Sequence, residues 1–177
     1  VKLTISLVNP IGVNLGANNS CSITIEDDEH PLAAILGDYN VSADDLVYGD
    51  HYDWTINVSR DDTDLSKVWF SNLDPYFAQN GLTAPEYNYV YGIVNDEKTE
   101  IRIPVGQSMG YTSSSGATSS LEGFADPEGN TPLEAGENII VEIRDKGATL
   151  YIENVWITKV GTYYWEGFSQ TTFTKVK

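Results

Sequence analysis

Apolar and polar residues alternate along most of this chain, in short runs that turn residues separate from one another. Alternation with a period of two predicts a β-strand that is buried on one face. The run "HYDWTINVS" places Tyr52, Trp54, Ile56 and Val58 on one face and polar residues on the other. Further runs are "KVWFSNL", "NYVYGIVN", "EIRIPV", "NIIVEIRD", "ATLYIENVWI" and "TYYWEGFSQTTFTKV". Roughly seven or eight such strands, with turns about every ten residues, predict an all-β antiparallel barrel or sandwich.

The start of the chain predicts a separate β-hairpin. The runs "KLTISLVN" and "SCSITIED" flank "NPIGVNLGANNS", which is rich in the Asn and Gly residues that tolerate positive φ. Two strands alone are marginally stable in water, so their apolar side chains need a partner. We expect the apolar face to pack on the following barrel, on the same hairpin of another molecule, or on both. That face consists of Leu3, Ile5, Leu7, Ile23 and Ile25.

Two segments depart from the alternation. After Pro31, the residues Leu32, Ile35 and Leu36 have helical spacing, which predicts a short helical turn that acts as a plug or as a linker into the second unit. The segment 111–138 is rich in Ser, Gly and Thr. It predicts a mobile surface loop rather than a domain linker, because strands follow it that must complete the same sheet.

Charge narrows the range of partners. The 177 residues include 26 acidic and 10 basic ones, a formal net charge of −16. Phosphate backbones and anionic lipid repel such a chain, so nucleic acid and membrane surfaces are poor partners. The acidity fits either solubility outside the cell or affinity for calcium. No apolar stretch approaches the ~20 residues that span a bilayer.

The ends and the cysteine content bear on location. Cys21 is the only cysteine, which excludes an intrachain disulfide and a Cys-rich zinc site. The sequence starts at Val1 without a signal peptide, so we expect a processing boundary there and an exported protein whose signal lies outside this chain.

One short motif suggests a catalytic serine. The sequence "GQSMG" at 106–110 matches the G-x-S-x-G nucleophile elbow and follows a predicted strand. The segment after Ser108 is a poor helix, and the two histidines, His30 and His51, both precede the serine, contrary to the order of that motif. No other catalytic fingerprint is present, and nothing singles out a carboxylate pair among the acids. We therefore expect no enzymatic activity and keep a serine hydrolase as a remote alternative.

Two acidic clusters suggest calcium, which prefers oxygen ligands. Residues 27–30 close the first hairpin, and Asp61, Asp62 and Asp64 lie in a predicted turn. Neither cluster supplies the six to eight ligands that calcium takes. The second is expected to be an ordinary turn, because Asp side chains bond their own backbone there.

Residues 1–29 resemble the last two strands of a Calx-β domain. The stretch "LTISLVNPIGVNLGANNSCSITIEDDE" follows the family's closing pattern of a strand, an Asn/Gly loop and a strand that ends in acid. The resemblance implies a hairpin from a truncated β-sandwich, here residues 1–31. It also implies that Asp27 and Asp28 are calcium ligands in an incomplete site, because the family's other ligands come from earlier loops. Many members of the family are extracellular spacers.

Residues 32–177 resemble the lipocalin-like β-barrel domains of Bacteroidetes surface and secreted lipoproteins. The likeness rests on "LGDYNV", "YDWTINVSRDDTDLSKVWFSNL" and "VYGIVNDEKTEIRIPVGQ". It implies an antiparallel barrel of about eight strands, on an exported protein at the cell surface or outside the cell. A lipid anchor on a segment before Val1 would fit such a protein.

Large aromatic residues are the candidates for ligand binding. They can line a barrel mouth, stack on a sugar, or simply pack the core. The candidates are Tyr52, Trp54, Tyr89, Tyr91, Trp156 and Trp165. The leading hypothesis is thus a non-catalytic accessory or binding module for a small molecule or glycan. A calcium-stabilised structural spacer ranks second, and a hydrolase through Ser108 third.

Overall fold

The computed structural model describes residues 2–6, 8, 11–12, 20–24, 30–79 and 89–177. Within these ranges the chain forms fourteen β-strands. They are β1 (Lys2–Ser6), β2 (Ser20–Thr24), β3 (Gly37–Asp44), β4 (His51–Arg60), β5 (Lys67–Ser71), β6 (Tyr89–Val94), β7 (Glu100–Pro104), β8 (Gln107–Thr112), β9 (Thr118–Gly123), β10 (Asn138–Arg144), β11 (Thr149–Ile152), β12 (Trp156–Val160), β13 (Tyr163–Phe168) and β14 (Thr171–Lys175). The helix α1 spans Pro75–Gln79, and two 3-10 helices span Ala33–Ile35 and Asp145–Gly147.

Eight of the strands close into an antiparallel barrel, in the order β10-β11-β14-β3-β4-β5-β6-β7. The ring closes where β7 pairs with β10, with Ile103 opposite Ile139. Closure removes the unpaired strand edges that an open sheet would present. The all-β class and the closed antiparallel barrel that the sequence predicts are thereby confirmed.

The barrel interior is filled with side chains. On β4, Tyr52, Ile56 and Val58 are at most 9% exposed, as the alternation predicts, and Trp54 is half-buried. The inward-facing side chains of all eight barrel strands belong to one continuous apolar cluster. Its largest members include Trp156, Tyr39, Phe70, Phe77 and Phe173.

Residues 31–36 plug one end of the barrel, hereafter the plug end. This is the end where β3 begins and β14 finishes, with Lys175 opposite Tyr39. Leu32 and Ile35 are 4% and 3% exposed and belong to the same apolar cluster as the barrel interior. The short 3-10 helix between them agrees with the helical turn and the plug predicted after Pro31.

One tyrosine ties the plug to the barrel. The hydroxyl of Tyr39 lies 2.9 Å from the carbonyl oxygen of Ile35 and 2.8 Å from that of Gly147, so its single proton bridges the two 3-10 helices. Burial raises the pKa of Tyr39 to about 12, which keeps that proton in place. Gly147 has φ +90°, and a Cβ there would lie 2.6 Å from the carbonyl oxygen of Ala34. The plug therefore sits against a backbone that only glycine allows to approach so closely.

A second antiparallel sheet, ordered β13-β12-β9-β8, packs on the opposite end of the barrel, hereafter the cap end. Each of its strands is directly next in sequence to a barrel strand. Four side chains from its inner face join the apolar cluster of the barrel. They are Met109, Leu121, Trp156 and Phe168.

The cap sheet corrects the prediction of a mobile loop over 111–138. That segment contains β9 and the end of β8. Ser119 is buried, and its hydroxyl accepts the N–H of Tyr111 at 3.0 Å and lies 3.2 Å from that residue's carbonyl oxygen. Leu121 is fully buried. The prediction was wrong because Ser and Thr give no clear alternation of apolar and polar residues. Backbone hydrogen bonds to β8 and β12 make this segment a strand.

Two predicted strands are each divided in the structure. "ATLYIENVWI" becomes β11 and β12, separated at residues 153–155, and "TYYWEGFSQTTFTKV" becomes β13 and β14, separated at residues 169–170. Gln170 has φ 48°, a turn conformation that alternation alone does not reveal. The divisions redirect the chain from the barrel into the cap sheet and back.

The N-terminal hairpin is present, with β1 antiparallel to β2 and Ile5 opposite Cys21. Ile5 is 53% exposed, so it is not packed on the described part of the barrel. Leu7 and Ile25 lie outside the described residues, as do the side chains of Leu3 and Ile23. Packing of the hairpin on a second copy therefore stays a prediction.

Tyr39→Phe tests the tie between the plug and the barrel. The substitution removes only the hydroxyl and leaves two buried carbonyl groups without that donor. We expect the free energy of unfolding to fall by about 1–3 kcal/mol, measured by urea denaturation. The control is Tyr163→Phe, because that side chain is 75% exposed. Equal effects of the two substitutions would contradict a structural hydrogen bond at Tyr39.

Candidate functional site

The six aromatic residues predicted to bind ligand separate into three places. Tyr52 and Trp156 are buried, and Trp54 is half-buried. These three rings surround Phe168 at the cap end, with ring centroids 5.0–6.1 Å from it. Trp156 donates its indole N–H to the hydroxyl of Thr171 at 3.1 Å. Tyr52 and Trp156 therefore pack the core, whereas Trp54 also lines a surface depression of about 370 Å³ on β3 and β4.

Tyr89 and Tyr91 lie on the outside of the barrel, next to Trp69. We call Lys67, Trp69, Tyr89 and Tyr91 the outer aromatic strip. Trp69 and Tyr89 stack in parallel, with centroids 4.7 Å apart and 4° between the planes. Tyr91, opposite Trp69 in the β5–β6 register, meets it edge-on at 5.7 Å. The Lys67 amine lies 4.2 Å and 4.8 Å from the ring centroids of Trp69 and Tyr91, respectively. All four side chains are half-buried.

Asp61 fixes the position of the strip. Its Oδ2 accepts the indole N–H of Trp69 at 2.9 Å and lies 3.2 Å from the Lys67 amine. Its Oδ1 accepts the backbone N–H groups of Thr63 and Asp64 at 2.9 and 3.0 Å. These hydrogen bonds hold the pKa of Asp61 well below its usual range, and the bond from the Thr63 N–H has the largest effect. The second predicted acidic cluster therefore organises a turn and orients an aromatic side chain.

Sequence reasoning missed Trp69. The run "KVWFSNL" predicts a strand, and alternation places Trp69 on the face opposite Val68 and Phe70, both buried. Large aromatic side chains on the outer face of two adjacent strands are the signal that would have identified it. The pairing of the two strands, which the sequence leaves open, brings Trp69 to Tyr89 and Tyr91.

Trp165 lies elsewhere, at the junction of α1, β8 and β13. Its ring centroid is 4.6 Å from that of Tyr76, 5.1 Å from that of Tyr111 and 6.2 Å from that of Phe77. Trp165, Tyr76 and Tyr111 are half-buried, whereas Phe77 is fully buried. This group joins the cap sheet to the helix that follows β5.

Three buried carboxyl groups lie at the cap end, and the sequence pattern did not single them out. Asp45 is 2% exposed and accepts backbone N–H groups from Val47, Tyr48 and Gly167 at 2.6–3.1 Å. Those bonds attach the β3–β4 turn to β13. Asp45 therefore has a structural function, comparable to that of a capping residue.

Asp74 and Glu166 are the other two buried carboxyl groups. Asp74 directly precedes α1 and accepts the Tyr76 backbone N–H at 2.8 Å. Glu166 accepts the Tyr52 hydroxyl at 3.3 Å, and its second oxygen has no hydrogen-bond partner among the described residues. Burial raises the pKa of Asp74 to about 7. Burial, reinforced by the charges of Asp74 and Asp45, raises that of Glu166 to about 8.

Ser108 is not placed for catalysis by a histidine. It lies on strand β8, exposed, and accepts the N–H of Gly110 at 3.1 Å. The segment predicted as a nucleophile elbow is thus part of a strand that begins directly after the turn at 105–106. Within the described part of the chain, neither His30 nor His51 is hydrogen-bonded to Ser108.

His51 instead joins a polar group on the outer face of β3 and β4. Its Nε2 lies 3.2 Å from the Ser42 hydroxyl, and its Nδ1 lies 2.6 Å from Asp44 Oδ1. A hydrogen bond to Asp44, reinforced by Asp53, raises the pKa of His51. The order Ser–His–Asp resembles a catalytic relay, but all three side chains are exposed on a flat strand surface. Such a surface does not exclude the water that screens developing charge.

The predicted calcium ligands Asp27 and Asp28 lie outside the described residues. Among the residues that the structure does describe, no three or more His, Cys, Asp or Glu side chains form a group able to hold a metal ion. His30, the last residue of the predicted cluster, accepts the N–H of Leu32 at 3.2 Å through Nδ1.

Comparison with protein-family models, with curated proteins and with solved structures found no match to this chain. The resemblances to Calx-β and lipocalin-like domains therefore stay predictions. None of the helices in the described ranges has the length and apolar character needed to cross a membrane.

The buried acids predict that stability falls as pH rises through neutrality. Because the pKa values of Asp74 and Glu166 are raised to about 7 and about 8, the folded state keeps protons that the unfolded chain releases near pH 4. Their contribution is complete below pH ~4 and is lost as pH rises through those values. We expect the free energy of unfolding to fall by several kcal/mol between pH 5 and pH 9, because each pKa unit between the folded and unfolded states corresponds to about 1.4 kcal/mol.

Glu166→Gln provides the test, because glutamine cannot ionise. Urea unfolding at several pH values should show a smaller decline for this variant, whereas exposed Glu153→Gln should behave as the parent does. If the free energy of unfolding declined equally with pH in the parent, Glu166→Gln and Glu153→Gln, Glu166 would not be a cause of the decline.

The group around His51 gives a second pH-dependent prediction. Since the bond to Asp44 is the main cause of the raised pKa, Asp44→Asn should lower the His51 pKa more than Asp53→Asn does. Titration of the imidazole protons by NMR measures both. A His51 pKa that does not respond to Asp44→Asn would mean that the hydrogen bond is absent in solution.

Proposed function

We propose that this chain is a non-catalytic extracellular binding module, with a neutral glycan as ligand and the outer aromatic strip as the contact surface. The observation that carries the proposal is the group of three half-buried aromatic rings on the outer face of β5 and β6, held in place by Asp61. The sequence hypothesis of a binding module is retained, but the contact surface moves to the outside of the barrel.

The filled interior supports this choice of surface. A lipocalin-type ligand would need space inside the barrel, whereas the inward-facing side chains form one packed cluster that includes the plug and the inner face of the cap sheet. Of the predicted aromatic candidates, Tyr52 and Trp156 contribute to that packing. Recognition by the described part of the molecule therefore falls to its outer surfaces.

The chemistry of the strip fits an uncharged, hydroxyl-rich ligand. Aromatic side chains offer apolar surface together with polar groups, here two phenol hydroxyls. Sugar rings combine apolar C–H faces with hydroxyl groups, and so match such a surface. The one cation of the strip, Lys67, is already paired with Asp61. A net charge of −16 disfavours a polyanionic ligand.

An exported origin completes the proposal. The acidic composition and the absence of a disulfide are compatible with a bacterial surface protein. The Calx-β-like hairpin and the lipocalin-like barrel motifs support the same setting. In that setting the module would hold a glycan near a cell surface, with no chemistry of its own.

Trp69→Ala tests the proposed function. We expect loss of most of the retardation that a neutral polysaccharide causes in affinity gel electrophoresis, at least tenfold in dissociation constant, because each stacking ring contributes about 1 kcal/mol or more. Tyr89→Ala should act in the same direction. Tyr163→Ala, on a side chain 75% exposed in the cap sheet, is the matched control.

Folding of each variant is verified by circular dichroism, because Trp69→Ala also removes the bond to Asp61. Two results would overturn the proposal. One is a parent protein that binds none of a panel of plant, microbial and host glycans. The other is glycan binding that Trp69→Ala and Tyr89→Ala leave intact.

A further inference from the structure

An apolar pocket of about 210 Å³ opens at the plug end of the barrel. It lies outside the barrel interior and away from the aromatic rings of the outer strip. The pocket exposes almost only carbon atoms on its walls, and two lysines complete its lining. The apolar wall comes from Pro31, Leu32, Ile35 and Ile143, and the lysines are Lys98 and Lys146.

The wall of this pocket is fixed in advance of any ligand. The Tyr39 hydroxyl bridges the carbonyl groups of Ile35 and Gly147, and the Lys175 amine donates to the carbonyl oxygen of Ala34 at 2.6 Å. Both 3-10 helices that border the pocket are thus attached to barrel strands. A preformed pocket binds without first being ordered, which favours affinity for a small ligand.

The two lysines of the pocket are among the cations that no described carboxylate neutralises, as is Lys159 on the cap sheet. Within the described ranges, most other cations near this end pair with carboxylates, as Lys67 does with Asp61 and Arg144 with Glu142. Lys98 and Lys146 form no ion pair among the described residues, although acids outnumber bases 26 to 10. Neither amine is thus neutralised by a carboxylate of the described residues, and the two bring positive charge to the edge of the pocket.

The backbone conformation of these two lysines is a further argument that they have a function. Lys98 has φ 55° and Lys146 has φ 58°, the left-handed region that Gly and Asn occupy more easily than other residues. Local preference therefore argues against lysine at both turns. A residue that departs from its local preference at two places around one pocket suggests a selected function.

The size of the pocket limits the ligand. Its volume is below the ~300–1,000 Å³ of sites for drug-sized molecules. A second depression of about 210 Å³ shares Pro31, Leu32 and Lys98 with it and extends to Leu65 and Val94. A single unbranched chain can lie across the two, with an anionic end beside the lysines. A free carboxylate fits better than a lipid surface, since an anionic membrane repels a chain of charge −16.

From these observations we infer that the plug end binds a short apolar monocarboxylate, with its hydrocarbon body against Leu32, Ile35 and Ile143 and its carboxylate beside Lys98 and Lys146. This site is independent of the proposed glycan surface, because no ring of the outer strip lines it.

Isothermal titration of the full chain with octanoate and with 1-octanol tests the inference. The two probes share an apolar body and differ in charge. We expect octanoate to bind with a dissociation constant below about 1 mM, at least tenfold tighter than 1-octanol. Raising the salt concentration should weaken octanoate binding and leave octanol binding nearly unchanged.

Matched variants locate the site. The double variant Lys98→Gln/Lys146→Gln should lower octanoate affinity to that of octanol, whereas Lys159→Gln on the cap sheet should leave it unchanged. Ala34→Phe, at an exposed residue of the pocket lining, should reduce binding of both probes by filling the space.

Three outcomes would overturn the inference: equal affinities for the two probes, no octanoate binding at all, or octanoate affinity unaffected by the double lysine variant. If octanoate does not bind and sedimentation shows a dimer that Ala34→Phe disrupts, the occupant is a second copy of the chain. Loss of glycan binding in Trp69→Ala with octanoate binding retained would separate this site from the proposed glycan surface.

Discussion

The closed ring of backbone hydrogen bonds is the constraint on which the rest of the structure depends. Within this ring, the first barrel strand, β3, pairs with the last, β14. The pairing of β7 with β10 completes the closure. Once the ring is closed, one face of every strand points into a narrow interior, and that interior is filled by side chains such as Phe70 and Phe173. The other face points outward. Side chains that can bind a partner consequently lie on the outer faces of the strands and at the two ends of the barrel.

The two ends are closed by different means, and the difference explains their chemistry. At the plug end, a short 3-10 segment fills the opening with Leu32 and Ile35, and a single tyrosine hydroxyl secures it. At the cap end, a whole sheet covers the opening and brings polar groups with it, including Glu166 on β13. Carboxyl groups are therefore buried beneath the cap sheet, whereas the plug end has an apolar surface that is bordered by lysines in turns.

The sequence predicted the barrel well, because inward and outward residues of the barrel strands differ sharply in polarity, as on β4. It did not predict β9, since a strand of Ser and Thr gains its stability from pairing with β8 and β12 and carries almost no hydrophobic signal. It also missed Trp69 and Glu166. Their significance depends on which strands become neighbours, and strand pairing brings together residues that lie far apart in the chain. The two predicted calcium ligands, Asp27 and Asp28, belong to a part of the chain outside the described residues.

The turn at residues 61–66 connects the outer aromatic strip with the plug end. Asp61 at its start holds Trp69 and Lys67, while Leu65 and Ser66 at its end line the depression beside the apolar pocket. Asp64 stabilises the turn between them by accepting the N–H and the hydroxyl of Ser66. A substitution at Asp61 would therefore disturb both surfaces, whereas Tyr89 and Lys146 each belong to one of them. The strip and the pocket are chemically distinct, one neutral and aromatic and the other apolar and cationic, and the turn at 61–66 is the segment that lies between them.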